Sequence, residues 1–300
     1  MIKRFDFSEQ IRSQLGELSL EQNINPAYIT FRLLAGLSRF EDGFYSKVYS
    51  PKIDYFSSPY ALRRTPAKKA DIFENFSDEV TLSELSKYFK SLRQNKAFYN
   101  KLQSETIECL IAREQGRFLE SFVYAYRMLE GISYTFPLIY TSKASSFERS
   151  FSELKDFMSK SKTDGELAFF KRFINAAFST ESFFQTTVDV KFSSIEIDSL
   201  RASYFRLLKT LMPEKQRDIF ILDETEDYDI NYSFLGFLTL VISVRNRYLH
   251  FLQGSWSENI SSQDLVAPNL FFSVFIDEFI NWLAVIILEI LKFDMGHSQR

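Results

Sequence analysis

The sequence predicts a mainly α fold, a helical bundle preceded by an N-terminal accessory region that is itself mostly helical, and three observations lead there. Thirty-three phenylalanines stand against nine glycines and seven prolines, a balance that suits long regular elements and disfavours a sandwich or barrel of many short strands. Apolar residues recur three and four apart over several long stretches, the period of a helix with one buried face. Strand-like alternation is confined to one short run. With 300 residues, 45% of them hydrophobic and 17% aromatic, the chain can bury a sizeable core.

Residues 1–104 read as the accessory region, a mix of helices and loops in which "SPKIDYFSSPYALRRTP" (50–66) carries three prolines and loop chemistry. From 105 onward the text turns strongly helical, and 105–296 read as a helical domain. "SETIECLIAREQGRFLESFVYAYRMLEGISY" (104–134) opens on Ser104, a candidate N-cap, and meets no proline before Pro137. Ile111, Phe118, Phe122, Ala125, Leu129 and Ile132 share one face of it, and Arg113, Arg117, Glu120, Tyr124 and Arg127 another. Two amphipathic segments follow over 147–180, parted by "KSKTDGE" (160–166). "TTVDVKFSSIEID" (186–198) alternates as a strand does, and helix resumes at 199–212 until Pro213 stops it. "LDETEDYD" (222–229) reads as a solvated acidic loop; as a Mg²⁺ site it would need carboxylates that converge rather than merely follow one another.

Two long apolar helices, over about 232–253 and about 269–293, close the chain. The second contains "LFFSVFIDEFINWLAVIILEILKF" (270–293), interrupted by Asp277, Glu278, Asn281 and Glu289. A charge at the bilayer centre costs roughly 2.5–3.5 kcal/mol on insertion scales, so a buried core helix is expected and no membrane partner. The single cysteine, Cys109, excludes an intramolecular disulfide framework, and "MIKRFDFSEQ" lacks the apolar core of a secretory signal. The expected setting is reducing and cytoplasmic.

A net charge of −3 argues against a protein that coats nucleic acid by bulk electrostatics. The charge is unevenly shared, with 16 basic and 12 acidic residues in 1–104 against 20 and 27 in the remainder. The basic clusters "LRRTPAKK" (62–69) and "KSLRQNK" (90–96) are either solvated faces or local contacts for phosphates.

One stretch carries candidate chemistry. In "VRNRYLHF" (244–251), Arg245, Asn246, Arg247 and His250 sit at the end of a long apolar run, in a chain with only two histidines. At about 100° per residue, Phe237, Val241, Val244, Tyr248 and Phe251 form a core stripe, while Thr239, Ser243, Asn246, His250 and Gln253 form a polar line opposite. Asn246 and His250, four apart, are within hydrogen-bonding reach on that line. An imidazole titrating near about 6.5 can take the proton of a ribose 2′-hydroxyl or return one to a leaving 5′-oxygen. Guanidinium groups stabilise the charge that builds on the phosphoryl group. Neither task calls for a metal or another cofactor, and one cysteine with two histidines cannot assemble an ordinary zinc site. The structural alternative is a satisfied core histidine bonded to Asn246 or Glu120, with Arg245 and Arg247 as cations favourable to a helix C-terminus.

"RNRYLH" resembles the defining motif of the HEPN superfamily, an arginine followed after four to six residues by a histidine, with a polar residue directly after the arginine. The helix containing "GRFLESFVYAYRMLEG" is similar to the leading helix of several HEPN groups, where an acidic or polar side chain faces the motif. The resemblance covers about 105–295. It implies a helical bundle that cleaves RNA without metal, with His250 as general acid/base, Arg245 as phosphate stabiliser and Asn246 orienting the imidazole. On that analogy Glu120 is the side chain expected to face the motif, with Arg127 and Glu130 behind it, and Arg247, on the flank of the polar line, is a further supporting candidate. It further implies RNA as substrate, a homodimer through the motif helices, and a toxin or phage-defence setting with an inhibitor or antitoxin partner. Because Arg245 and His250 lie about 140° apart on an ideal helix, they converge on one phosphate only if the helix distorts at its end or two copies combine their groups. Two other readings stand beside this one: a non-catalytic HEPN-like scaffold binding a nucleotide or a protein, and a Mg²⁺-dependent phosphotransfer enzyme using the acidic loop.

Overall fold

Twelve α-helices and six short strands run through the described residues, 4–9, 18–20, 24–56, 76, 80–143, 146–158, 167–249 and 259–298, of the computed structural model, so the chain is mainly α. Two compact units divide it, one made of residues 1–132 with 280–300 and the other of 133–279. Position 104, where the sequence suggests a boundary, lies inside a continuous helix.

The first unit begins with a small sheet that the reading of 1–104 as helices and loops does not include. Strand β1 (Phe5–Glu9) pairs antiparallel with β2 (Ser38–Asp42), which pairs with β3 (Lys47–Tyr49). Three to five residues per strand is too short a run for alternation to stand out from the sequence around it. Asp42, 1% exposed, accepts hydrogen bonds from Arg4 Nε and Nη2 at 3.0 and 2.8 Å and from the Phe44 amide at 2.9 Å, which fixes the β2–β3 turn. Between β1 and β2 lies α1 (Pro26–Leu34), buried on all sides. Asn25 caps it by accepting from the Ala27 amide at 2.8 Å and donates to the Phe89 carbonyl at 2.7 Å. Arg32 of α1 is 1% exposed yet satisfied, donating to Ser38 Oγ, Tyr28 Oη and the carbonyls of Leu18 and Leu37 at 2.9–3.2 Å.

Helix α2 (Leu82–Ser91) opens on a reciprocal capping box between Thr81 and Glu84. Helix α3 (Lys96–Glu114) packs on α1. Ser104 is no cap, since it sits mid-helix with its hydroxyl donating to the Asn100 carbonyl at 3.0 Å. The single helix expected over 104–134 is two. Gly116 takes the left-handed conformation at φ +70°, and the Gly116 and Arg117 amides bond back to the Arg113 and Ala112 carbonyls, a Schellman closure. Helix α4 (Phe118–Ser142) then runs through Pro137 rather than stopping there, and Thr141 donates to the Pro137 carbonyl at 2.9 Å. Its apolar face is the predicted one: Phe122, Ala125, Leu129 and Ile132 are fully buried.

The second unit takes the later part of α4, then α5 (Phe147–Met158) and α6 (Ala168–Phe178). Its core is aromatic, the Phe157, Phe173, Phe178, Phe183 and Phe234 rings following one another at 5.3–5.9 Å between centroids. Strand β4 (Thr187–Val190) occupies part of the alternating run; α7 (Asp198–Thr210) and the short α8 (Arg217–Phe220) follow. The acidic run is not simply a loop. Strands β5 (Ile221–Glu224) and β6 (Ile230–Ser233) form a hairpin around it, and the sheet order is β4-β6-β5, antiparallel throughout. Because 230–233 pairs with β4, the next helix, α9 (Phe234–Tyr248), starts later than the apolar run suggests. Helices α10 (Ser262–Leu265) and α11 (Pro268–Ser273) lead to α12 (Ile276–Ser298).

Within α12 the chain returns to the first unit at Ile280. There Trp282, Leu283, Ala284 and Ile286 are fully buried, as expected of a core helix. Asn281 donates to the Tyr55 carbonyl at 2.6 Å, and Asp294 accepts from Tyr88 Oη at 2.8 Å. The helix continues through 294–298, past its expected end near 293. Among the described residues, no helix is long and apolar enough to cross a membrane.

Candidate functional site at the end of α9

Close packing sets the position of α9. Ser233 caps it, accepting from the Gly236 amide at 3.2 Å. Gly236 itself lies against the last residue of α8, where a Cβ would stand 2.5 Å from the Phe220 carbonyl oxygen. Phe237, Val241 and Val244 are fully buried, so the first three positions of the predicted core stripe hold, while Tyr248 is half-buried. The polar line opposite is less open than its composition suggests: Thr239 is 4% exposed and returns its hydroxyl to the Leu235 carbonyl at 2.9 Å. Ser243 is half-buried, and the charged groups come only in the last turn.

In that turn Arg245, Asn246, Arg247 and Tyr248 are all half-buried. Arg245 Nη1 donates to Asn246 Oδ1 at 3.0 Å, which orients the amide and leaves its Nδ2 group pointing a donor elsewhere. Arg247 has a different occupation. It donates from Nη1 to the Thr210 carbonyl at 3.2 Å, on the last residue of α7, where a cation meets the negative end of the helix dipole. The Arg247 carbonyl accepts the Ile260 amide at 2.9 Å, and Tyr248 Oη meets Ser262 Oγ at 3.2 Å with its ring 5.6 Å from Phe272. Leu249 closes the helix, its amide on the Arg245 carbonyl at 2.8 Å. His250, the residue on which the candidate chemistry turns, lies outside the described residues, as do Phe251, Gln253 and the basic cluster 62–69.

Glu120 and Arg127 belong to the first unit. Glu120, in the first turn of α4, forms an ion pair with Arg117 just before the helix. Arg127 reaches Glu105 of α3 at 2.6 Å, and this hydrogen bond holds its guanidinium above its ordinary pKa. Glu105 is 9% exposed, so Arg127 compensates a nearly buried carboxylate. Of the acidic run, Glu224 pairs with Lys209 at 2.7 Å and Asp229 accepts the Phe192 amide at 3.2 Å. Among the described residues, no group of three or more His, Cys, Asp or Glu side chains converges in a way that could hold a metal ion.

Two titrating groups escape a reading based on pattern. Burial pushes the Glu278 carboxyl up to about 8, with Asp277 and Asp189 adding to the rise. Burial also pulls the Lys171 ammonium down to about 8. In the sequence the first is only an interruption of an apolar helix and the second an ordinary member of an amphipathic one. Comparison of the chain with protein-family models, with curated proteins and with solved structures finds no match.

Proposed function

We propose that the protein is a metal-independent RNA endonuclease in which His250 acts as general acid/base beside the arginine–asparagine pair that ends α9. The observation that carries this reading is the half-buried pair itself, Arg245 Nη1 to Asn246 Oδ1 at 3.0 Å, one helical turn before the histidine in sequence. Its acceptor satisfied, the Asn246 amide can donate to an imidazole nitrogen and hold that ring in one tautomer. The imidazole takes the 2′-hydroxyl proton, the 2′-oxygen attacks the adjacent phosphorus, and the 5′-oxygen leaves with a proton, giving a 2′,3′-cyclic phosphate. Arg245 balances the charge on the phosphoryl oxygens. The reading includes a homodimer across the motif helices, so that groups of two copies serve one cleft, a toxin or phage-defence setting, and an inhibitor that keeps the enzyme silent.

A second reading, a non-catalytic helical scaffold that binds a nucleotide or a protein, is favoured by Arg247, whose guanidinium is already engaged by the Thr210 carbonyl. One assay separates the two. Purified protein is incubated with mixed RNA in EDTA beside His250→Ala and Arg245→Ala. The nuclease reading expects cyclic-phosphate ends and a loss of about 10²–10⁴-fold on removing the imidazole. No cutting, or cutting unchanged in His250→Ala, overturns it, and cutting only once Mg²⁺ is restored points to the acidic hairpin.

A further inference from the structure

Helix α5 exposes a face that a soluble helix ordinarily buries. Phe147 is 96% and Phe151 69% exposed, one turn apart. At 100° per residue, Phe147, Glu148, Phe151, Ser152 and Lys155 fall within an arc of about 140° on the helix, and all five are exposed. The inner face is committed: Phe157 is 4% exposed and packs edge-on against Phe169 and Phe173, while Ser150 donates to the Thr141 carbonyl at 3.0 Å. Arg149 Nε donates to Glu153 Oε1 at 2.9 Å. Glu148 and Lys155, by contrast, have no partner among the described residues.

We propose that this face pairs with the same face of a second copy of the chain, two α5 helices crossing antiparallel about a two-fold axis between Phe151 and Ser152. The charges favour this occupant over an unrelated one. Glu148 and Lys155 lie equally far from that midpoint, about 5 Å along the helix, so the two-fold sets each Glu148 opposite Lys155 of the second copy, twice over. Small Ser152 at the centre lets the helices approach, and each Phe151 ring lies over it on the opposing helix. An isologous contact needs such self-complementarity. A fully exposed aromatic presents roughly 150–250 Å², so the two rings bury on the order of 600 Å² over both copies. That is about half of the ~1,200 Å² lower end for stable interfaces, and the pair is accordingly a reversible one. The contact is on α5, not on the motif helix α9, and it does not rest on the nuclease reading.

Sedimentation velocity of the full chain over a micromolar to millimolar series tests it. The wild type is expected to associate reversibly through α5, as monomer to dimer or, where the α9 helices also pair, as dimer to higher oligomer. Phe151→Asp raises the dissociation constant by at least about tenfold, with circular dichroism and melting unchanged because the side chain is exposed. Glu148→Lys and Lys155→Glu each weaken the dimer at low salt, and the double variant, which exchanges the two charges, restores it. A wild type that is monomeric throughout, a dimer indifferent to Phe151→Asp, or a double variant no better than the single ones would overturn the proposal.

Discussion

Gly236 shows how much one atom can decide in this chain. An added methyl would meet the Phe220 carbonyl oxygen at 2.5 Å and its Cα at 2.9 Å, both backbone and unable to yield. Gly236→Ala should therefore cost about 1–3 kcal/mol of stability, read as a lower urea midpoint, and should displace the helix on which the candidate pair sits. Tyr88→Phe should cost about 1–3 kcal/mol by removing a donor from the nearly buried Asp294 carboxylate. Two groups set opposite pH slopes. Glu278 is raised from about 4.5 to about 8, so across that window the folded chain keeps a proton that the unfolded chain has released, and stability falls as pH rises. Lys171 is lowered from 10.5 to about 8, so between those values the unfolded chain holds the extra proton and stability rises with pH. Melting temperatures across pH 5–10 should accordingly lose the acidic-side decline in Glu278→Gln and the alkaline-side rise in Lys171→Met. If either slope survives its substitution, the group named is not its source.

Among the elements, those with long uninterrupted periodicity were legible and those set by pairing were not. The buried faces of α4, α9 and α12 follow directly from apolar spacing, because a helix satisfies its own backbone and needs only one greasy side. The β1–β2 pairing joins partners 29–37 residues apart in sequence, as in Ser8 with Arg39, and nothing local in "FDFSE" announces them. The acidic run shows the same limit: its composition says loop, while the pairing of β5 and β6 makes most of it a hairpin. Of the candidate site, the position of Arg245, Asn246 and Arg247 near the end of a helix was legible. The engagement of Arg247 by Thr210, 37 residues away, was not, since no local pattern encodes it. Helix ends are where local rules and tertiary contacts meet. Asn25 caps α1 and also holds the Phe89 carbonyl, so Asn25→Ala should cost about 1–3 kcal/mol in chemical denaturation, more than the loss of a cap alone.

For the molecule as a whole, the decisive feature is that one unit is built from two distant parts of the chain. Residues 280–300 supply Trp282, Leu283 and Ile286 to the same compact unit as residues 1–132, along with the Asn281 bond to Tyr55 and the Asp294 bond from Tyr88. A chain cut after Phe279 should thus lose hydrogen-exchange protection over α1 and α3 while amides of the β4-β6-β5 sheet remain protected; equal loss in both would show that the units do not fold separately. Synthesis runs from the amino terminus, so the opening 132 residues leave the ribosome well before the helix that completes their core. Until α12 has been made, their unfinished apolar surface is a target for chaperones and a hazard for aggregation. A stalled or prematurely terminated message would release that half-built unit, and the cell would meet the product as a substrate for degradation.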